Sequence, residues 1–277
     1  MDKRSIHFSR YVIWFLILLW TLFPFYWMLV TSLKSDAEIY NLKSNPLLVR
    51  DITAQHFRHL FSRTHFTTWF KNSVVVAVVS TTITLFSSLL AAYSLSRMKL
   101  RGSSFWSMLV FVAYLVPPTL LFIPLSRIIS SLKVGDTLYA LILTHPTFLV
   151  PFSTWMLMSY FSSIPFELEE SALIDGASRM QILVRIVLPL SLPAIVTVTL
   201  FSFTLSWGEM VYALSFISSS PFKTLPVGIR SELVRGDVFY WGPLMAAALL
   251  SSTPIVVVYS FLTDYYIGGL TAGSVKY

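Results

Sequence analysis

Residues 72–96 read NSVVVAVVSTTITLFSSLLAAYSLS, twenty-five positions without an Asp, Glu, Lys, Arg or His, closed by Lys71 on one side and Arg97 on the other. A charge at the centre of a bilayer costs roughly 2.5 kcal/mol or more. About 20 apolar residues carry a helix across ~30 Å of hydrocarbon. A charge-free stretch of this length therefore predicts a membrane-spanning helix. Five further gaps between charged residues behave the same way: 11–33, 102–126, 137–166, 186–208 and 238–263. Together the six hold 152 of the 277 residues, which predicts an all-α, polytopic membrane protein with six transmembrane helices and short connections.

Composition agrees. The chain is 55% hydrophobic and only 12% charged, where a soluble domain carries about a quarter of its residues as Asp, Glu, Lys or Arg. The same numbers exclude a disordered chain. With no cysteine there is no disulfide framework and no thiolate nucleophile. The 11–33 span is too long for the apolar region of a cleaved signal, and no small-residue cleavage site follows it before Lys34. Prolines fall in five of the spans, among them Pro24, Pro117, Pro118, Pro146, Pro151, Pro189, Pro193 and Pro254, where neighbouring helices can satisfy the freed backbone groups.

An even span count places both termini on one side. Lys3, Arg4 and Arg10, with the Arg97, Lys99, Arg101 cluster, predict that this side is cytoplasmic. The loop from Lys34 to Lys71 holds six of the eleven basic residues then left outside, and long loops obey the rule weakly. The basic residues are scattered among loops and form no stripe, so a nucleic-acid partner is not expected; membrane lipid is.

Catalytic signatures are missing. There is no Gly-x-x-x-x-Gly-Lys loop, no Gly-x-Gly-x-x-Gly, no His-Glu-x-x-His and no Gly-x-Ser-x-Gly, so no catalytic residue, bound cofactor or metal is expected. His56, His59 and His65 lie close together but lack Cys partners, which favours solvated or interfacial histidines. Within the spans the only side chain of Asp, Glu, Lys, Arg or His type is His145, for which hydrogen-bonded packing is the favoured reading over proton handling. Trp207, Glu209 and Tyr212 gather at the end of the fifth span. An aromatic and carboxylate set there suits a substrate pathway for a polyol and equally suits an interfacial aromatic belt; both readings stay open.

The segment between the fourth and fifth spans reads Pro165-Phe166-Glu167-Leu168-Glu169-Glu170-Ser171-Ala172-Leu173-Ile174-Asp175-Gly176-Ala177-Ser178. Ser162 or Ser163 as cap, Pro165 in the first turn and glutamates where the helix dipole favours negative charge predict a short surface helix that Gly176 ends or bends. Ala172, Leu173 and Ala177 would offer a small-residue face. Such a helix would be a place for a partner to dock, since a chain with no ATP site must borrow its energy.

Glu170-Ser171-Ala172, three residues, Gly176, nine residues, then Ile186-x-Leu188-Pro189 resembles the EAA motif of permease subunits of bacterial ATP-binding-cassette importers, departing only at Ser171. Asn72-Ser73, Ala91-Ala92-Tyr93-Ser94-Leu95-Ser96-Arg97, Leu225-Pro226-Val227-Gly228 and the tail Gly269-Leu270-Thr271-Ala272-Gly273-Ser274-Val275-Lys276 are similar to the carbohydrate-uptake, maltose-type branch. Tyr277 stands where that branch usually has Gly, and Gly208 where it has Asn after Trp. The resemblance implies a type I importer transmembrane fold in a bacterial inner membrane. It also implies a second, different permease, two ATPase subunits that hold ATP and Mg, and an extracytoplasmic solute-binding protein. By the same resemblance Glu170, Ser171, Ala172, Asp175, Gly176 and Ala177 couple to the ATPase. The expected organisation is 1–70 as N-terminus, first helix and external loop, 71–266 as transport core with its coupling loop at 165–189, and 267–277 as cytoplasmic tail. The competing expectation is a stand-alone carrier or channel, which an inverted repeat or buried charges would favour.

Overall fold

The computed structural model describes residues 3–98 and 100–272, with side chains from 10–98 and 100–262. Lys99, the side chains of Lys3 and Arg4, and the tail residues 273–277 lie outside the described residues. The helices in chain order are α1 (Lys3–Leu33), α2 (Asp36–Ile39), α3 (Gln55–Arg63), α4 (Phe66–Arg97), α5 (Ser103–Leu115), α6 (Phe122–Leu132) and α7 (Leu138–Ser163). They continue with α8 (Glu167–Ile174), α9 (Arg179–Ile182), α10 (Leu188–Leu190), α11 (Leu192–Trp207), α12 (Val211–Phe216), α13 (Leu225–Leu233) and α14 (Trp241–Ala272). The strands β1 (Val234–Arg235) and β2 (Val238–Phe239) pair as an antiparallel hairpin, with Gly236 at φ +60 in its turn.

Among the described residues four helical stretches are long and apolar enough to cross a membrane: Arg10–Leu33, Phe66–Arg97, Leu138–Ser163 and Trp241–Leu262. The expected third and fifth spans are broken, and the count reaches six only when each bent pair is taken as one span. In the third, α5 stops at Leu115, Val116 is forced extended (φ −73, ψ 119) by the proline that follows, and Pro118–Leu121 form a 3-10 turn before α6. The resulting bend is 94°. In the fifth, Arg179–Leu190 and Leu192–Trp207 meet at 79°, with Ser191 out of helical geometry between Pro189 and Pro193. Pro24, Pro146, Pro151 and Pro254 instead lie inside continuous helices. α4 stays helical through Val74-Val75-Val76 and other β-branched residues. In lipid no water can satisfy an open backbone, so the environment overrides that propensity.

The chain divides into two compact units, Met1–Thr67 with Gly228–Pro254, and Thr68–Val227 with Ile255–Tyr277. In the first, Lys34 is buried and donates from Nζ to the carbonyls of Asn45 (2.6 Å) and Pro46 (3.0 Å), folding the loop after α1 back on itself. His56 is buried with Nε2 2.8 Å from the Lys34 carbonyl, in packing that requires Gly242: a Cβ there would lie 2.2 Å from the imidazole. Tyr40 Oη donates to the Phe239 carbonyl (3.1 Å) and holds the hairpin to the same loop.

Among the described residues the second unit has two apolar clusters. Val76, Leu125, Ile129, Leu141, Tyr212 and Phe216 belong to one. Ala92, Leu157, Phe161, Ile182, Val187 and Val198 belong to the other, against which Ala172 and Ala177 pack. The α6–α7 turn is pinned to the chain after α12 by Asp136, whose carboxylate accepts from the backbone N–H of Ser218 (2.9 Å) and Ser219 (2.8 Å) and from the Ser219 hydroxyl. These bonds hold the Asp136 carboxyl down at about 2.

Candidate functional site

The loop that carries the motif is built on a single arginine. Arg97 ends α4 and is 2% exposed. Its Nε donates to Glu169 Oε1 at 2.6 Å, Nη1 to the carbonyls of Phe161 (3.2 Å) and Ile164 (2.9 Å), and Nη2 to that of Pro165 (3.4 Å). The guanidinium carbon lies 3.7 Å from the centre of the Phe166 ring. Helix ends leave carbonyls without intrahelical partners, and here one side chain satisfies those at the end of α7 while fixing the first turn of α8. Tyr93, one turn earlier, donates to Glu169 Oε2 (3.4 Å), and Arg179 Nη1 lies 3.7 Å from that oxygen.

α8 ends in a left-handed glycine cap. Gly176 sits at φ +82, its N–H donates to the Leu173 carbonyl (3.0 Å), and the Ala177 N–H reaches the Ala172 carbonyl (2.9 Å). These two bonds form a Schellman motif, which a residue with a Cβ enters only with strain. Ser178 and Gln181 then form a reciprocal capping box for α9, a Ser-x-x-Gln signature present in the sequence and absent from the motif reading. Ser162 and Ser163 do not cap α8 as expected. Their hydroxyls bond back to Met158 and Tyr160 within α7, and no side-chain oxygen caps α8.

The six motif residues separate by exposure. Glu170, Ser171, Asp175 and Gly176 are exposed, together with Ile174 at 87%, whereas Ala172 and Ala177 are half-buried against the core. Ser171 Oγ donates to the Glu167 carbonyl (2.8 Å). A cavity of about 270 Å³ opens beside Gly176, lined by Asp175, Gln181 and Arg185. Beyond it Leu183–Val187 is π-helical, ending two residues before Pro189. π segments are frequent at functional sites.

The other predicted set divides too. Glu209 and Tyr212 come together at a cavity of about 360 Å³, lined also by Pro118, Phe148, Leu205 and Met210. Trp207 lies 4% exposed, edge-on to Phe70 (5.5 Å between ring centres) and stacked on Phe203 (5.8 Å). The Glu209 carboxylate accepts from the N–H groups of Tyr212 (2.7 Å) and Ala213 (3.1 Å), starting α12. His145 Nε2 lies 3.5 Å from Glu209 Oε2, and its Nδ1 2.7 Å from Ser206 Oγ. Tyr212 Oη donates to the Pro118 carbonyl (2.7 Å) and ties α12 to the break after α5. Among the described residues no three His, Asp or Glu side chains gather as a metal-binding group.

Known proteins carry the same framework. The model of the family described as binding-protein-dependent transport system inner membrane component matches residues 83–270. The inner membrane ABC transporter permease protein YcjP of Escherichia coli (strain K12) is 38% identical, covering 94% of this chain and 93% of that one. The trehalose/maltose transport system permease protein MalG of Thermococcus litoralis is 36% identical over 92% and 91%. A chain of a bacterial ABC transporter involved in the import of the acidic polysaccharide alginate superposes with a TM-score of 0.83, at 21% identity, over 96% of this chain and 99% of that one.

Proposed function

We propose that this chain, which belongs to the family of binding-protein-dependent transport system inner membrane components, forms half of the path by which an ATP-binding-cassette importer admits a carbohydrate. It is a membrane-embedded permease subunit that works with a solute-binding protein, and it is not an enzyme. The substrate class is read from relatives named for trehalose/maltose, diacetylchitobiose and arabinooligosaccharide transport. The finer arrangement is a second, different permease beside it and two ATPase subunits that hold ATP and Mg. The membrane is a bacterial inner membrane, with both termini and the Glu167–Arg185 loop on the cytoplasmic side.

The observation that carries the reading is α8 with its glycine cap. A helix of eight residues and its cap present Glu170, Ser171, Ile174, Asp175 and Gly176 outward, on a base held through Arg97 by buried bonds to Glu169 and to Phe161 of α7. An exposed isoleucine with Asp175 beside it and Glu170 one turn earlier suits a cleft on another protein. Contact there lets closure of the ATPase pair move the spans. At the other set, Glu209 keeps lone pairs beyond the two N–H bonds it accepts, and it faces a cavity with Tyr212. That combination of carboxylate and aromatic wall suits the hydroxyls and apolar faces of a sugar.

Reconstitution tests the reading. The purified chain alone should hydrolyse no ATP. With its partner permease and ATPase subunits in vesicles, hydrolysis should appear and rise when the sugar-loaded binding protein is added. ATP turnover by the isolated chain, or assembly of the ATPase without it on the partner permease alone at full activity, would sink the proposal.

A further inference from the structure

We propose that Arg97 is a positioning residue that makes the docking helix α8 move as one body with α4, so that force arriving at α8 enters the second span directly. The inference rests on reading α8 as the element that meets the ATPase. Besides its short link to α7 and the packing of Ala172 on the core, α8 has two routes into the spans that differ in stiffness. One is covalent, through the Gly176 cap, the π-helical Leu183–Val187 and the 79° break at Ser191 before α11 begins. Each of those is a place where a chain gives. The other is the Arg97 assembly, in which one guanidinium is bonded to Glu169 on α8, to three carbonyls at the α7–α8 junction, and stacked on Phe166.

The second route is the stiffer one. Arg97 and Glu169 have side chains 0% and 2% exposed, so parting them strands two charges away from water, which is far costlier than bending a hinge. A planar guanidinium engaging four oxygens also resists rotation in a way that a point charge does not. Glu169 is the only one of the three first-turn glutamates of α8 that is buried; Glu167 and Glu170 are exposed. The glutamates are thereby divided between an outward pair and an inward anchor. Tyr93 reaches the same carboxylate from α4 one turn earlier, so the anchor resists tilting as well as pulling.

The test uses the complete transporter, with partner permease, ATPase subunits and binding protein, in lipid nanodiscs. Because the chain has no native cysteine, Leu90→Cys on α4 and Leu168→Cys on α8 take paired spin labels cleanly. Both side chains are exposed, at 50% and 44%, and neither is among the motif residues. With Arg97 present, the α4–α8 distance should be a single narrow distribution, unchanged between nucleotide-free and ATP-bound states. In Arg97→Gln it should broaden and become state-dependent, while ATP hydrolysed per solute imported rises several-fold and the ATPase still co-purifies. Arg97→Lys should recover the charge without the fork and fall between the two. Glu169→Gln, which leaves the three carbonyl bonds in place, should uncouple less than Arg97→Gln, and it serves if the latter fails to insert. A wild-type α4–α8 distance that changes with nucleotide, or an Arg97→Gln protein with unaltered distance and unaltered coupling ratio, overturns the proposal. Failure of the unsubstituted chain to hold the ATPase overturns the docking reading and this inference with it.

Discussion

Glu169 and Glu209 both carry carboxylates largely out of water, at 2% and 11% side-chain exposure, and they are compensated in different ways. Glu169 faces the guanidinium of Arg97, with Tyr93 and Arg179 on its second oxygen. Glu209 has two backbone N–H donors at the start of α12 and His145, which is charged only when protonated. The first carboxylate is closed on every side; the second opens on a cavity. A buried charge with a permanent, many-bonded partner is suited to holding helices together. One compensated by backbone dipoles keeps capacity to bind something else.

The largest expected difference follows from that contrast. Glu169→Ala leaves Arg97 buried without its counter-charge and should cost about 3–5 kcal/mol, whereas Glu209→Ala removes a helix-start acceptor and should cost about 1 kcal/mol. Thermal midpoints in detergent would rank them, and equal shifts would break the comparison. Next, Gly176→Asp should cost only about 1–2 kcal/mol of left-handed strain, because among the described residues nothing beyond its two chain neighbours lies within 4 Å of the added Cβ. Uptake should nevertheless fail at matched membrane abundance, since in the proposed docking the new charge meets the ATPase. Retained uptake and retained ATPase association would remove α8 from the coupling path.

A weaker effect is expected at the Asp136 clamp, which has no arginine. Its carboxyl, held at about 2 against an ordinary 3.8, adds stability that is fully present above about pH 4 and is lost as pH falls towards 2. Tryptophan fluorescence during acid titration should show the wild type holding to lower pH than Asp136→Asn, which lacks the titrating group. Coincident acid transitions would contradict the clamp. The smallest effects should come from Ser171→Ala and Gly208→Asn, each within about 0.5 kcal/mol. Gly208 has an ordinary φ of −88, and an added Cβ meets only the Thr204 carbonyl, at 3.6 Å. Uptake by Gly208→Asn with altered solute preference would sharpen the assignment of the cavity to substrate.

Much of this architecture is written in local sequence. Charge-free gaps mark the spans because the bilayer penalises charge wherever it falls, and the Gly176 cap is legible because only glycine enters that turn without strain. The breaks at Val116 and Ser191 were signalled by Pro117, Pro118, Pro189 and Pro193, yet Pro146 and Pro151 look the same in sequence and sit inside a continuous helix. Whether a proline breaks a helix depends on what neighbours supply to the freed carbonyls, which no local pattern records. The Arg97–Glu169 pair was illegible for a related reason. Arg97 reads as one of three basic residues flanking a span and Glu169 as one of three glutamates favoured by a helix dipole. Only the fold brings them within 2.6 Å across 72 positions of chain.

The central claim is that α8 is a cytoplasmic surface covered by an ATPase. A single cysteine at Ile174, the exposed tip of that helix, tests it in one measurement: thiol labelling with a membrane-impermeant reagent, with and without ATPase subunits. Position 174 should resist the reagent in intact cells, react in inside-out vesicles stripped of ATPase, and become protected when the ATPase is added back. Labelling from outside intact cells, or reactivity unchanged by the ATPase, would contradict the account.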